Sequence, residues 1–256
     1  MDGIPLLLSR DPKYAGVHEI ASAYDSFYHS TPGLWESLGR DSLEFRTFFC
    51  SLLSQFQSSR LLEIGCGEGS MLANIRADEK FAVDISRQAL AIARTRTRAQ
   101  FSVALAERLP FPSDYFDIVV SLGVMEHFLD EADALKEIRR VLAPSGHYVT
   151  LIHVHLTLYE RISMKLCEYL FPRPRPLRFV SWLQTRLATA RCQDDNILVP
   201  QPIQKKYTTR TAKRGLERHG FRIVDVIHSR KYPSLPLKGR FVVIYVGEKP
   251  CEPLQA

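Results

Sequence analysis

Long apolar runs are missing from this 256-residue chain. No stretch approaches the roughly 18 apolar residues that a membrane-spanning helix requires. The N-terminal stretch MDGIPLLLSRDPKY holds only a short apolar run and no small-residue cleavage site, so no signal peptide is expected there. Cysteine is scarce and scattered: Cys50, Cys66, Cys167, Cys192 and Cys251 form no CxxC pair. That excludes a zinc-ribbon site and a disulfide framework, and it fits reduced thiols in a cytosolic protein. No internal repeat is visible, and no recognisable DNA- or RNA-binding module joins the basic residues together. Glycine is sparse too, with 13 in the whole chain, which makes one cluster of three stand out.

What is present is an ordinary globular composition, 45% apolar and 24% charged, long enough for one sizeable α/β domain with appendages. The net charge of +6 is unevenly spread. Residues 160–240 carry 18 Lys and Arg against six Asp and Glu, so the rest of the chain is net acidic. Such a basic third suits an anionic substrate or an acidic membrane surface, or is simply a solvated face.

Residues 16–30 and 41–56 have the apolar spacing of helices and read as an N-terminal helical segment. From Arg60 short apolar runs alternate with helical stretches. Strands are expected at 60–65, 80–85, 100–105 and 116–123, with a fifth inside 144–155. The spacing predicts helices from the glycines through Ile75, over 86–98 and over 131–142. This alternation implies right-handed crossovers and a mostly parallel, doubly wound sheet with helices on both faces. After the fifth strand the pattern breaks at FPRPRPLRF, whose prolines exclude a continuous helix. A helix over 209–220 then precedes strands at 221–229 and 240–248, whose short connection predicts an antiparallel pair.

The glycine cluster lies in LLEIGCGEGSML, where Gly65, Gly67 and Gly69 follow the first strand. In open α/β sheets this first strand-to-helix turn is where nucleotide-like ligands sit. A dinucleotide fingerprint requires its third small glycine or alanine at position 70, which is Ser70, so the third glycine comes one residue early. The spacing Glu63-x-Gly65-x-Gly67-x-Gly69 instead resembles the first motif of class I S-adenosylmethionine-dependent methyltransferases. Asp84 ends the second strand, where that family places an acid for the two ribose hydroxyls. AERLPFPSDYFDIVVSLGVMEHF (106–128) and LKEIRRVLAPSGHYVTLI (135–152) resemble its third-to-fourth and fifth strand regions. The resemblance covers about residues 60–152.

What the resemblance implies is a Rossmann-like seven-stranded sheet with an antiparallel last strand. The implied domains are a lid over 1–56, a cofactor-binding core over 57–152, a substrate cap over 153–206 and completion of the core over 207–250. S-adenosylmethionine is implied as cofactor, with no metal. Its implied contacts are Glu63, Gly65, Cys66, Gly67, Gly69, Asp84, Ile85, Ala106, Glu107, Ser121 and Leu122, with Tyr24 folding over from the N-terminal segment. Two departures are notable. Leu105 stands where the family often has an aspartate for the adenine amino group. The Asn/Asp-Pro-Pro-aromatic loop of amino-group methylases is absent from SLGVMEHF, which argues against a base or a planar amide as acceptor.

A hydroxyl acceptor benefits from a general base. His127, just past the fourth strand, is the first candidate, although the Glu-His pair there often caps a helix or shapes the pocket in the resembling family. His153 and His155 share one face of the fifth strand's end, the first as a second candidate base and the second as a substrate contact. Trp182, with Arg173, Arg175 and Arg178 in the cap, suits an amphipathic or anionic substrate or contact with a membrane surface. The expectation is a cytosolic enzyme that methylates a small or lipid-like metabolite at oxygen. A non-catalytic binding protein on the same fold and a macromolecule methylase using the basic face stay open as alternatives.

Overall fold

The apolar runs pair into one seven-stranded sheet in the order β3-β2-β1-β4-β5-β7-β6. The computed structural model describes residues 4–8, 11–33, 43–56, 58–154, 205–228 and 241–251. The strands are β1 (Arg60–Ile64), β2 (Glu79–Asp84), β3 (Gln100–Val103), β4 (Phe116–Leu122), β5 (Leu142–Val154), β6 (Arg222–His228) and β7 (Phe241–Glu248). The first five are mutually parallel, and β7 runs antiparallel to both β5 and β6. The expected mixed sheet with its antiparallel pair is therefore the observed one. Strand order reverses between β1 and β4, which opens a crevice at their carboxyl ends.

Five α-helices are described: α1 (Val17–Ser30), α2 (Leu43–Leu53), α3 (Arg87–Arg96), α4 (Glu131–Val141) and α5 (Thr209–Arg218). The last four turn their apolar stripes to the sheet, and α1 packs on α3. Phe45, Phe49 and Leu52 of α2 and Leu90 and Ala93 of α3 join one core with Leu61, Ile118 and Val149. Leu135 and Ile138 of α4 and Ala212 and Leu216 of α5 form the other core with Leu62, Val119 and Tyr148. The edge of β3 is covered by the N-terminal segment, since Leu7 N–H donates to the Val103 carbonyl and Val103 N–H to that of Pro5. An edge strand paired in this way offers no free ladder to other chains.

One expected helix is absent. Residues 67–74 form successive turns, with Ala73 N–H on the Gly69 carbonyl and Asn74 N–H on that of Met71. Side chains take the carbonyl groups that a longer helix would use. Asn74 Nδ2 donates to the Ser70 carbonyl, and Lys80 Nζ donates to Leu72 at 3.0 Å, Ile75 at 3.5 Å and Thr97 Oγ1 at 2.9 Å. Burial lowers the Lys80 pKa. Replacing Lys80 by Met keeps the aliphatic stem and strands those carbonyls. Urea unfolding is expected to show a loss of about 1–3 kcal/mol, and an unchanged midpoint would refute this role.

The described residues all belong to one compact unit, Met1–His155 with Ile203–Ala256. Nearly all of the expected cap, including His155 and Trp182, lies outside the described residues. Among the described residues no helix is long and apolar enough to cross a membrane.

Candidate active site

The carboxyl ends of β1, β2, β4 and β5 carry most of the residues singled out from the sequence. The loop after β1 is built on left-handed backbone: φ is +66° at Gly65, +51° at Gly67 and +73° at Gly69. Side chains rarely adopt this region, and here space forbids them as well. A Cβ on Gly65 would stand 2.4 Å from Val124 Cγ2, one on Gly67 2.9 Å from the Tyr28 hydroxyl, and one on Gly69 2.8 Å from Ala93 Cβ. The three glycines thus let three other elements close onto one loop. Glu68, between two of them, is buried and reaches outward, accepting from Gly33 N–H at 2.8 Å and pairing with Arg96 at 3.2 Å.

Asp84 ends β2 and ties the loop to the next turn. Its Oδ2 accepts from Gly67 N–H at 2.8 Å and its Oδ1 from Ser86 N–H at 2.9 Å. Burial pushes its carboxyl up to about 6, against the opposing effect of the backbone N–H groups of Ser86, Gly67 and Ile85. Asp25 of α1 stands beside it, accepting from Ser86 Oγ at 2.6 Å and from Gln88 N–H at 2.9 Å at the start of α3. Tyr24, the neighbouring residue, is pushed up to about 12 by burial and by the Asp84 charge. The N-terminal helix therefore lies against the end of β2. A carboxylate has about four acceptor positions, so Asp84 can still accept beyond these N–H groups and fits the hydroxyls of a cis-diol.

Beyond β2 the surface turns apolar. Tyr14, Val17 and Leu105 form a small cluster with Ile85, Leu129 and Leu8 packed against it, and Ala106 is buried next to Leu105. This wall suits a flat aromatic base. Leu105, the departure from the family pattern, is part of it. Glu107 is spent elsewhere: its Oε1 accepts from Leu129 N–H at 2.7 Å and Asp130 N–H at 3.1 Å. It organises the loop before α4, and burial raises its pKa.

The remaining residues divide in the same way. Glu63 and Cys66 are buried at the loop, and burial, helped by Asp84 and Glu63, pushes the Cys66 thiol well up. Ser121 is fully buried on β4, with its hydroxyl between Tyr148 at 2.7 Å and Thr150 at 2.9 Å. These bonds hold its side chain in the core between β4 and β5. Leu122 is partly buried against the α2–α3 face core.

The short 3-10 turn Met125–His127 follows β4. His127 is partly buried on it, with its main-chain N–H on the Val124 carbonyl. Glu126, one residue earlier, reaches β5, where its Oε1 accepts from His153 N–H at 2.5 Å and lies 2.8 Å from His153 Nδ1. The expected candidate base His153 thus has a carboxylate partner that sequence reading missed. The sequence signal is slight: Glu126 follows the end of β4 by four residues and His153 lies one residue before the end of β5. Among the described residues, no three His, Cys, Asp or Glu stand together as a metal site.

Residues 62–150 match a family model described as a methyltransferase domain. The ubiquinone/menaquinone biosynthesis C-methyltransferase of Vibrio parahaemolyticus is 30% identical over 150 residues, 52% of this chain and 54% of that protein. Ajmaline N-methyltransferase of Rauvolfia serpentina is 24% identical over 176 residues, 55% of this chain and 60% of that one. The chain thus spans little more than half the length of these curated relatives. Among solved structures, 1,6-didemethyltoxoflavin-N1-methyltransferase of Burkholderia thailandensis, determined with S-adenosylhomocysteine bound, shares the fold with a TM-score of 0.60 at 15% identity, covering 95% of this chain and 92% of that one. A methyltransferase of Thermotoga maritima superposes with a TM-score of 0.59 at 21% identity over 90% and 99% of the two chains.

Proposed function

We propose that this chain, whose residues 62–150 match a methyltransferase domain, is a class I S-adenosylmethionine-dependent enzyme that transfers a methyl group to a hydroxyl oxygen of a small or lipid-like metabolite. The observation that carries the reading is the buried Asp84 carboxylate, bonded across to Gly67 at the switch point of the sheet. In this reading Asp84 takes the ribose, the Gly65–Gly69 loop and Glu63 face the methionine end, and Ile85, Leu105 and Ala106 flank the adenine. The bound cofactor supplies an electrophilic methyl group on a sulfonium. The chain's own part is to orient the acceptor and keep water out, which supplies about 7–11 kcal/mol in favourable cases.

The names of the curated relatives, an ajmaline N-methyltransferase and a C-methyltransferase of ubiquinone and menaquinone biosynthesis, support a small acceptor. They differ from each other in acceptor atom. Oxygen is favoured here by the carboxylate-held imidazole at the strand ends, a device for a nucleophile that must lose a proton.

Two measurements test this. Calorimetry should show S-adenosylmethionine and S-adenosylhomocysteine binding to the chain. Incubation with a metabolite extract should release S-adenosylhomocysteine and an O-methylated product, identified by mass spectrometry and NMR. Binding without turnover across broad extracts would favour a non-catalytic protein on this fold. No binding at all would end the proposal.

A further inference from the structure

Glu126 and His153 are 27 residues apart in sequence and meet only because β4 and β5 are neighbours. The parallel register sets Ser121 beside Thr150 and Leu122 beside Leu151, and Gly123 N–H continues it onto the Leu151 carbonyl. The chain then doubles back through the 3-10 turn and presents Glu126 to the end of β5. One carboxylate oxygen holds both the main-chain N–H and the ring Nδ1 of His153, so backbone and ring are fixed by one group. The ring also lies against the strand end. Gly123 has φ +67°, and a Cβ there would stand 3.0 Å from His153 Cε1. Only glycine leaves room for the imidazole in this position.

The charge of Glu126 has little else to do. Its side chain is 4% exposed, and its Oε2 is buried with no hydrogen-bond partner among the described residues. The Tyr148 and Tyr207 hydroxyls, which also feel this charge, are committed to Ser121 and Glu131. Burial works against the charged form, while the bonds from His153 and the charge of its protonated ring hold the Glu126 carboxyl below its ordinary range. An ionised carboxylate on Nδ1 requires a hydrogen there. The neutral ring then carries its lone pair on Nε2, and the side chain is 17% exposed.

We infer that Glu126 is a positioning residue that holds His153 in its Nδ1–H tautomer, making His153 Nε2 the proton acceptor for the substrate hydroxyl. This rests on the methyl-transfer reading. The acceptor O–H bond breaks and its proton moves to Nε2, while an oxygen electron pair forms the new bond to the methyl carbon. The carbon–sulfur bond breaks with its pair left on sulfur as a neutral thioether, and the imidazolium formed is neutralised by Glu126. His127 takes no part in this step.

The test is a nitrogen-15 NMR spectrum of histidine-labelled protein, recorded with and without S-adenosylhomocysteine at a pH where imidazole is neutral. His153 is identified among the eight histidines by the signal lost in His153→Gln. The expected spectrum shows a protonated Nδ1 and an unprotonated Nε2 in both states. A proton on Nε2, or an even mixture, would overturn the inference without touching cofactor binding. Failure of S-adenosylhomocysteine to bind would instead remove the methyl-transfer reading beneath it.

Glu126→Ala should release the tautomer, whereas Glu126→Gln, whose amide oxygen still accepts from both N–H groups, should retain it. With the acceptor found in the extract assay, His153→Gln and Glu126→Ala should each lower kcat by about 10²-fold with the KM for S-adenosylmethionine within about threefold. Full turnover in His153→Gln would overturn the assignment. If Glu126→Ala does not fold, the wild-type spectrum and His153→Gln still decide it.

Discussion

Asp84→Ala is expected to weaken S-adenosylmethionine binding by about 1.5–3 kcal/mol, roughly 10- to 150-fold in Kd, and also to destabilise the ligand-free chain by about 2–4 kcal/mol. The two effects have separate origins. Without the carboxylate, the Gly67 and Ser86 N–H groups lose their acceptor at a site that is 6% exposed. The affinity loss comes from the ribose contacts proposed for the remaining lone pairs. Calorimetry at a temperature where the variant is fully folded measures the second alone, and denaturant unfolding without ligand measures the first. Unchanged affinity with reduced stability would make Asp84 a purely structural tie.

The same residue gives a pH signature. Burial holds its carboxyl at about 6 in the folded chain, against 3.8 for an ordinary aspartate. Between these values the folded state holds a proton that the unfolded state has lost. The contribution of Asp84 to ligand-free stability is therefore greatest below about pH 4, declines as pH rises to about 6, and is level above that. Cofactor affinity runs the other way, because the ribose hydroxyls donate to the ionised form. It should fall by up to about tenfold for each pH unit below 6 and stay level above it. Asp84→Ala should flatten both profiles.

Gly65→Ala should cost about 2–5 kcal/mol of stability. A left-handed backbone costs an alanine about 1–2 kcal/mol, and forcing a methyl group into a packed site costs about 1–3 kcal/mol more. The methyl would meet Val124 Cγ2 at 2.4 Å and Cγ1 at 2.7 Å. Val124→Ala in the same chain should return the packing part of the loss and leave the backbone part. Urea unfolding of the single and double variants separates the two, and a single-variant loss below 1 kcal/mol would contradict both. Cofactor binding should fall with the loop, since Gly65 and Cys66 N–H groups are pinned to the Val83 carbonyl at the end of β2.

Much of this site is legible in sequence because it is local. Strand-to-helix alternation from Arg60 to Val141 follows short periodic runs, and the glycine loop and Asp84 lie only 15–19 residues apart. The reason for the glycines was only half visible. A close approach to the backbone was readable, but Val124, Tyr28 and Ala93, three of the groups that approach, come from three distant elements. The turns at 67–74 were misread as a helix because their competing partner, Lys80, lies on the next strand. Glu107 and Ser121 are cofactor contacts that the resemblance implies, and their side chains also bond within the fold, to Leu129 and Asp130 and to Tyr148 and Thr150. Which way a side chain points there depends on neighbours such as Leu129 and Tyr148 that become adjacent only after folding.

By itself the sequence determined the sheet class, the place of the ligand crevice and the acid at the end of β2, because each is set by residue spacing within one strand–turn–helix unit. Only the tertiary structure decided that His153 has Glu126 as its carboxylate partner. Glu126 sits next to His127 in the chain, yet it bonds His153, because the parallel pairing of β4 with β5 and the reversal at Gly123 bring those two side chains within 2.8 Å. A contact across two strands depends on register and backbone direction, and neither is written in the residues immediately around it.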